Sequence, residues 1–204
     1  MRETALPETR LARFAQWLLD RFGWTYRTAP LPGPKGIVVV YPHTSNWDFV
    51  IGLLYKWRVA LPFSYMAKDS LFSGVTGATL GRLLRRWGGV PVKRDEQRGT
   101  VEQIAEQFEK ATWMWLAITP EGTRGRTEYL RSGFYRMAQR ANVPIALGYI
   151  DYAKKEVGVT AHLVVTGDRE RDLEVIRAFY RNVTPRFPEK AGRLAFREEP
   201  RAGE

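Results

Sequence analysis

Apolar residues recur along the chain with two periods, and the alternation between those periods sets the fold class. Residues 8–24 carry Leu11, Phe14, Leu18 and Phe22 at helical spacing, with Trp17, Leu19 and Trp24 widening the stripe and Arg10, Arg13 and Arg21 flanking it. An amphipathic helix is predicted there. Two packings suit it: against a protein core, or in the plane of a membrane with the aromatic face inward and the basic residues at the headgroups. Leu31-Pro32-Gly33-Pro34 marks a turn. Beyond it, the short apolar runs 36–41, 63–67, 89–93, 113–119, 144–149 and 157–165 predict strands. Helices are predicted from Trp47 or Asp48 to about Ala60, and over 100–111, 132–141 and 168–182. Residues 71–87 contain Gly74, Gly77 and Gly81 and read as a broken helical stretch, whose end sets Leu80, Leu83, Leu84 and Trp87 beside Arg82, Arg85 and Arg86. Strands alternating with helices predict an α/β fold, with a mostly parallel or mixed central sheet covered by helices on both faces and the amphipathic helix at the N-terminus. The expected organisation is that helix and a linker over 1–30, one main domain over 31–183, and a loose, charge-rich tail over 184–204.

Composition narrows the chemistry. A chain of 204 residues with 44 % apolar content suits one globular domain. It has no cysteine, which excludes disulfides, thiolate metal sites and a cysteine nucleophile. Its two histidines, His43 and His162, stand 119 positions apart without ligand spacing, so no metal and no cofactor is expected. His162 lies in a predicted strand and reads as structural. The net charge is +10, and 24 of the 32 basic residues are Arg, which favours anionic partners. No nucleic-acid-binding motif is present, so an anionic membrane surface is the expected partner and nucleic acid is not. No run of about 20 apolar residues occurs, so no spanning helix is expected. The first residues, Met-Arg-Glu-Thr-Ala-Leu-Pro-Glu, lack the basic start and apolar run of a signal peptide. A cytoplasmic location, peripheral to the inner face of the membrane, is the expectation.

Three candidate elements follow predicted strands, at the sheet edge where α/β folds bind ligands. His43 follows the first of these strands, and Asp48 comes five positions later across a turn into a helix. A carboxylate on one ring nitrogen fixes the imidazole tautomer and stabilises the imidazolium, leaving the other nitrogen to take a proton from a hydroxyl. The same two residues also suit turn and capping roles. Glu121-Gly122-Thr123-Arg124 follows the strand at 113–119, where a glycine permits a tight turn and Arg124 offers a fork for phosphate. Arg94 follows the strand at 89–93.

Together these elements resemble the glycerolipid acyltransferase family, whose best-known members acylate 1-acylglycerol-3-phosphate. The family block His-x-x-x-x-Asp is matched by His43 to Asp48, the block Gly-x-x-Pro-Val-x-Arg by Gly88 to Arg94, the block Pro-Glu-Gly-Thr-Arg by Pro120 to Arg124, and the apolar block with Val-Pro by Val143-Pro144-Ile145. The resemblance runs from about Ile37 to Ile150. The chain departs from the family in having Leu147 where a second proline is common, and Gly125-Arg126 after the third block; both positions bear on acceptor shape. The resemblance implies that His43 is the general base and Asp48 orients it, with direct attack of the acceptor hydroxyl on a thioester and no acyl-enzyme. It also implies that Arg94, Glu121, Gly122, Thr123 and Arg124 position a lipid acceptor, commonly through its phosphate, and that acyl-CoA or acyl carrier protein is the donor. Lys68, at the end of the second strand, is the candidate donor to the oxyanion. A non-catalytic lipid-binding protein on the same fold is the alternative, and the intact His43 and Asp48 argue against it.

Overall fold

The computed structural model describes residues 8–74, 77–92 and 97–196. Seven strands, β1 (Thr25–Thr28), β2 (Lys35–Val40), β3 (Ser64–Lys68), β4 (Gly89–Val92), β5 (Met114–Ile118), β6 (Ile145–Asp151) and β7 (Glu156–Leu163), form one sheet in the order β1-β7-β6-β2-β5-β3-β4. The five strands from β6 across to β4 are mutually parallel. β7 runs antiparallel to β6, and β1 pairs parallel with β7. The sheet is therefore mixed, as expected.

Among the described residues six α-helices surround it: α1 (Arg10–Arg21), α2 (Asn46–Val59), α3 (Arg82–Arg86), α4 (Gln97–Lys110), α5 (Gly133–Ala141) and α6 (Arg169–Tyr180). Successive strand side chains serve opposite faces. Ile37 and Val39 of β2, Leu116 of β5, and Ile145 and Leu147 of β6 pack with Ile104, Phe108, Phe134, Tyr135 and Ile176 from α4, α5 and α6. The intervening Val38, Trp115 and Ala146 pack with Ile51, Tyr55 and Val59 of α2. Both faces of the central strands are buried, which explains why they read as continuous apolar runs. α1 lies outside α2, burying Ala12, Ala15 and Leu19.

The connections create a crevice. β2 and β5 are neighbours, yet the chain leaves β2 through α2 toward β3, and leaves β5 through α5, on the other face, toward β6. Loops after two adjacent parallel strands whose connections diverge part from one another, and ligands bind there. His43 follows β2 and Glu121 follows β5 at that point.

The sequence-based elements differ from the structure in two places. β1 was not expected, because Thr-Tyr-Arg-Thr is a four-residue edge strand with one exposed face. The stretch 71–87 is broken as expected, into a 3-10 turn at Asp69–Leu71, a π turn at Gly77–Gly81 and α3. The second difference is the tail, whose residues 184–196 are docked on the site described next rather than loose.

Candidate active site

The site begins with a helix cap. Ser45 has extended backbone angles (φ −141°, ψ 152°), and its Oγ accepts the Trp47 N–H at 3.2 Å. Asp48 accepts the N–H groups of Thr44 and Ser45 on Oδ2, each at 2.9 Å. This reciprocal arrangement starts α2 at Asn46, slightly earlier than expected, and folds the carboxylate back onto the loop after β2. There it meets His43, whose Nδ1 lies 3.1 Å from the same Oδ2. The contact has the distance of a hydrogen bond but not its angle. Catalytic hydrogen bonds commonly tighten only when substrate is bound. Capping and histidine pairing, which the sequence presents as alternatives, are thus performed by one carboxylate. The His43 side chain is 16 % exposed while its Nδ1 is buried, so the accessible part of the ring is its other edge.

Asp48 is almost completely enclosed. Burial alone would raise its pKa. The adjacent His43 imidazole and hydrogen bonds from the Tyr152 hydroxyl and the Ser45 backbone outweigh that and hold it below the ordinary value. Tyr152 immediately follows β6, and its hydroxyl donates to Asp48 Oδ1 at 2.6 Å. Burial, with Asp48 adding to it, pushes the Tyr152 hydroxyl well above its usual pKa. Sequence reasoning missed Tyr152: it is one of nine tyrosines, outside every recognised block.

Glu121 lies across the crevice. It is 2 % exposed, and each of its carboxylate oxygens accepts a backbone N–H. Oε2 accepts the His43 N–H at 2.6 Å, and Oε1 accepts the Gly192 N–H at 3.1 Å. Burial raises its pKa to about 6, although both N–H groups pull the other way. Glu121 is therefore a buried strut that fixes the histidine loop. Gly122 adopts φ +66°, and a Cβ there would come within 2.8 Å of the Arg131 side chain. Thr123 and Arg124 are exposed on the same loop, with Thr123 Oγ1 accepting the Gly125 N–H at 3.2 Å. Arg131, whose N–H donates to Pro120 O at 2.8 Å, is a further guanidinium beside this loop that the sequence reading did not single out. Lys68 ends β3 at the same sheet edge, but its side chain lies outside the described structure, and Arg94 lies outside the described residues.

The tail closes the third side. The Phe187 N–H donates to Thr44 Oγ1 at 3.2 Å, and the Tyr41 hydroxyl donates to Gly192 O at 2.6 Å. Leu130 N–H donates to Ala195 O at 2.8 Å, and Phe196 packs on Phe134 and Tyr135. The charged composition suggested a loose segment, but two aromatic anchors and one glycine with both backbone groups bonded suffice to dock it.

An acyltransferase family model matches residues 25–147, more than half of the chain. The chain belongs to the acyltransferase family. The fold is also that of a solved acyltransferase, the 1-acyl-sn-glycerophosphate (LPA) acyltransferase PlsC from Thermotoga maritima. That crystal structure aligns with a TM-score of 0.55 at 15 % identity, over 87 % of this chain and 79 % of the other. No curated protein matches the chain. The acyltransferase match includes His43, Asp48 and Glu121 and ends before Tyr152 and the docked tail.

Proposed function

We propose that this acyltransferase moves a fatty acyl chain from an acyl-CoA or acyl carrier protein thioester to a hydroxyl of a lysolipid or related glycerolipid, with His43 as general base. The observation that carries this reading is the His43 Nδ1–Asp48 Oδ2 contact at the crevice between β2 and β5. With Nδ1 turned to an ionised carboxylate, Nε2 takes the proton of the acceptor hydroxyl as its oxygen bonds to the thioester carbonyl carbon. The C–S bond then breaks, and the thiolate receives that proton from the imidazolium. Exposed Arg124 supplies a guanidinium for an acceptor phosphate. The roles proposed for Arg94 in acceptor binding and for Lys68 at the oxyanion rest on the sequence resemblance, with Lys68 ending β3 at this edge. The test is incubation with labelled acyl-CoA and labelled acyl carrier protein against a panel of lysolipids. One donor–acceptor pair should yield a labelled ester; hydrolysis alone, or no consumption of either thioester, would remove the proposal.

The reading extends to where the enzyme works. No helix among the described residues is long and apolar enough to cross a membrane. α1 nevertheless turns its small residues inward and leaves Leu11, Phe14, Trp17 and Phe22 between 46 % and 61 % exposed, beside Arg10, Arg13 and Arg21. α3 and the turn before it expose Leu80, Leu83, Arg82, Arg85 and Arg86. Both surfaces suit peripheral docking on the anionic inner face of the membrane, where the lipid acceptor resides.

A further inference from the structure

We propose that Tyr152 is a positioning residue of the acyl-transfer site, holding Asp48 in the orientation that lets it serve His43. The four polar contacts of Asp48 are unevenly divided. Oδ2 faces Thr44 N, Ser45 N and His43 Nδ1, at 2.9, 2.9 and 3.1 Å. Among the described residues Oδ1 has one hydrogen-bond partner, the Tyr152 hydroxyl at 2.6 Å. A carboxylate anchored through one oxygen can still rotate about its terminal torsion, which is soft for aspartate. A short bond to the second oxygen fixes that rotation and so fixes where Oδ2 sits against the imidazole.

Tyr152 is itself held on several sides. Its N–H donates to Thr184 O at 2.8 Å, and Trp24 meets its ring edge-to-face at a centroid distance of 5.2 Å. The Arg186 guanidinium lies 6.0 Å from the ring centroid, and its charge partly offsets the rise in the hydroxyl pKa. Tyr152 thereby ties the first residue after β6, the start of the tail and the segment after α1 to one catalytic carboxylate. It stands outside the residues matched to the family.

The bond also sets how much negative charge Asp48 presents to the ring. A hydroxyl donating to a carboxylate stabilises the ionised form. Without that donor, Oδ1 is buried and unpaired, Asp48 is free to turn Oδ2 away from the ring, and the imidazolium is held less strongly. The other charged groups facing the pair are Glu121 and Arg186.

The role rests on the reading of His43 as base, but its test does not need turnover. The chain has two histidines, so the imidazole resonances of His43 can be followed by NMR with His162 as an internal control. Tyr152→Phe removes one oxygen and keeps the ring against Trp24. In that variant the His43 titration should move to lower pH by roughly half a unit or more while His162 stays in place. The acid limb of kcat/KM should move in the same direction, with kcat lowered roughly 10-fold and both KM values little changed. An unshifted His43 titration overturns the proposal whatever happens to kcat, and so does an equal shift of both histidines, which would report a global change. Should the variant fail to fold, wild-type protein still decides. The Tyr152 hydroxyl proton should be slow to exchange and displaced downfield, and a freely exchanging proton would overturn the assignment. Normal turnover in His43→Ala would instead remove the base reading and leave the titration result standing.

Discussion

Two buried carboxylates flank His43, and although burial raises the pKa of each, their net shifts have opposite signs. Asp48 meets donors on both oxygens, so its pKa falls below the ordinary value despite burial. Stability from its charge is therefore present above the unfolded value and is lost as pH falls through the lowered folded value. Glu121 accepts backbone N–H groups only, and burial raises its pKa from 4.5 to about 6. Between those values the folded protein binds more protons than the unfolded chain, so stability declines as pH rises from about 4.5 to about 6. A shift of that size corresponds to roughly 2 kcal/mol. Urea unfolding of wild type and Glu121→Gln across pH 4–7 should show this decline in the wild type and not in the variant; parallel profiles would contradict it. At this scale the sequence was informative for His43 and Asp48, because five positions across a cap leave few geometries. It did not reveal the burial of Glu121, because a motif places a residue on a loop without saying whether the side chain turns toward solvent or core. Tyr152 was not legible, since its partner lies 104 residues away.

The docked tail is the element that the sequence concealed most. Gly192 lies where a Cβ would stand 2.5 Å from Thr127 Oγ1 and 3.7 Å from Glu121 Cγ. Gly192→Ala should therefore push the tail off Glu121, lower stability by about 1–3 kcal/mol and reduce turnover by loosening the His43 loop. The urea midpoint reads the first effect, and an unchanged midpoint would mean that the tail does not depend on this close approach. The core strands were readable because burial on both faces makes them apolar throughout. α1 was readable as a helix but not in orientation: the conspicuous Leu, Phe and Trp stripe faces mainly outward, while two alanines and Leu19 make the contact with α2. Small residues let two helices approach closely, and a hydropathy pattern gives them little weight.

For the whole molecule, a charge of +10 and a sequence pI near 10.0 act together with the exposed apolar residues of α1 and α3. Basic residues near an anionic membrane contribute about 1 kcal/mol each, and the attraction weakens as the Debye length falls from ~10 Å at 0.1 M salt to ~3 Å at 1 M. Vesicle co-sedimentation should recover more protein with anionic than with zwitterionic lipid, less in high salt, and less when Arg82, Arg85 and Arg86 are neutralised together. Equal recovery under all conditions would contradict an electrostatic contribution. The proposed acyl transfer through His43 at the crevice between β2 and β5 is most directly measured by labelled acyl transfer in His43→Ala beside wild type. Transfer should fall at least ~10²-fold with an unchanged circular dichroism spectrum, since general-base catalysis typically contributes 10²–10⁴. Wild-type turnover in the folded variant would contradict the proposed chemistry at its centre.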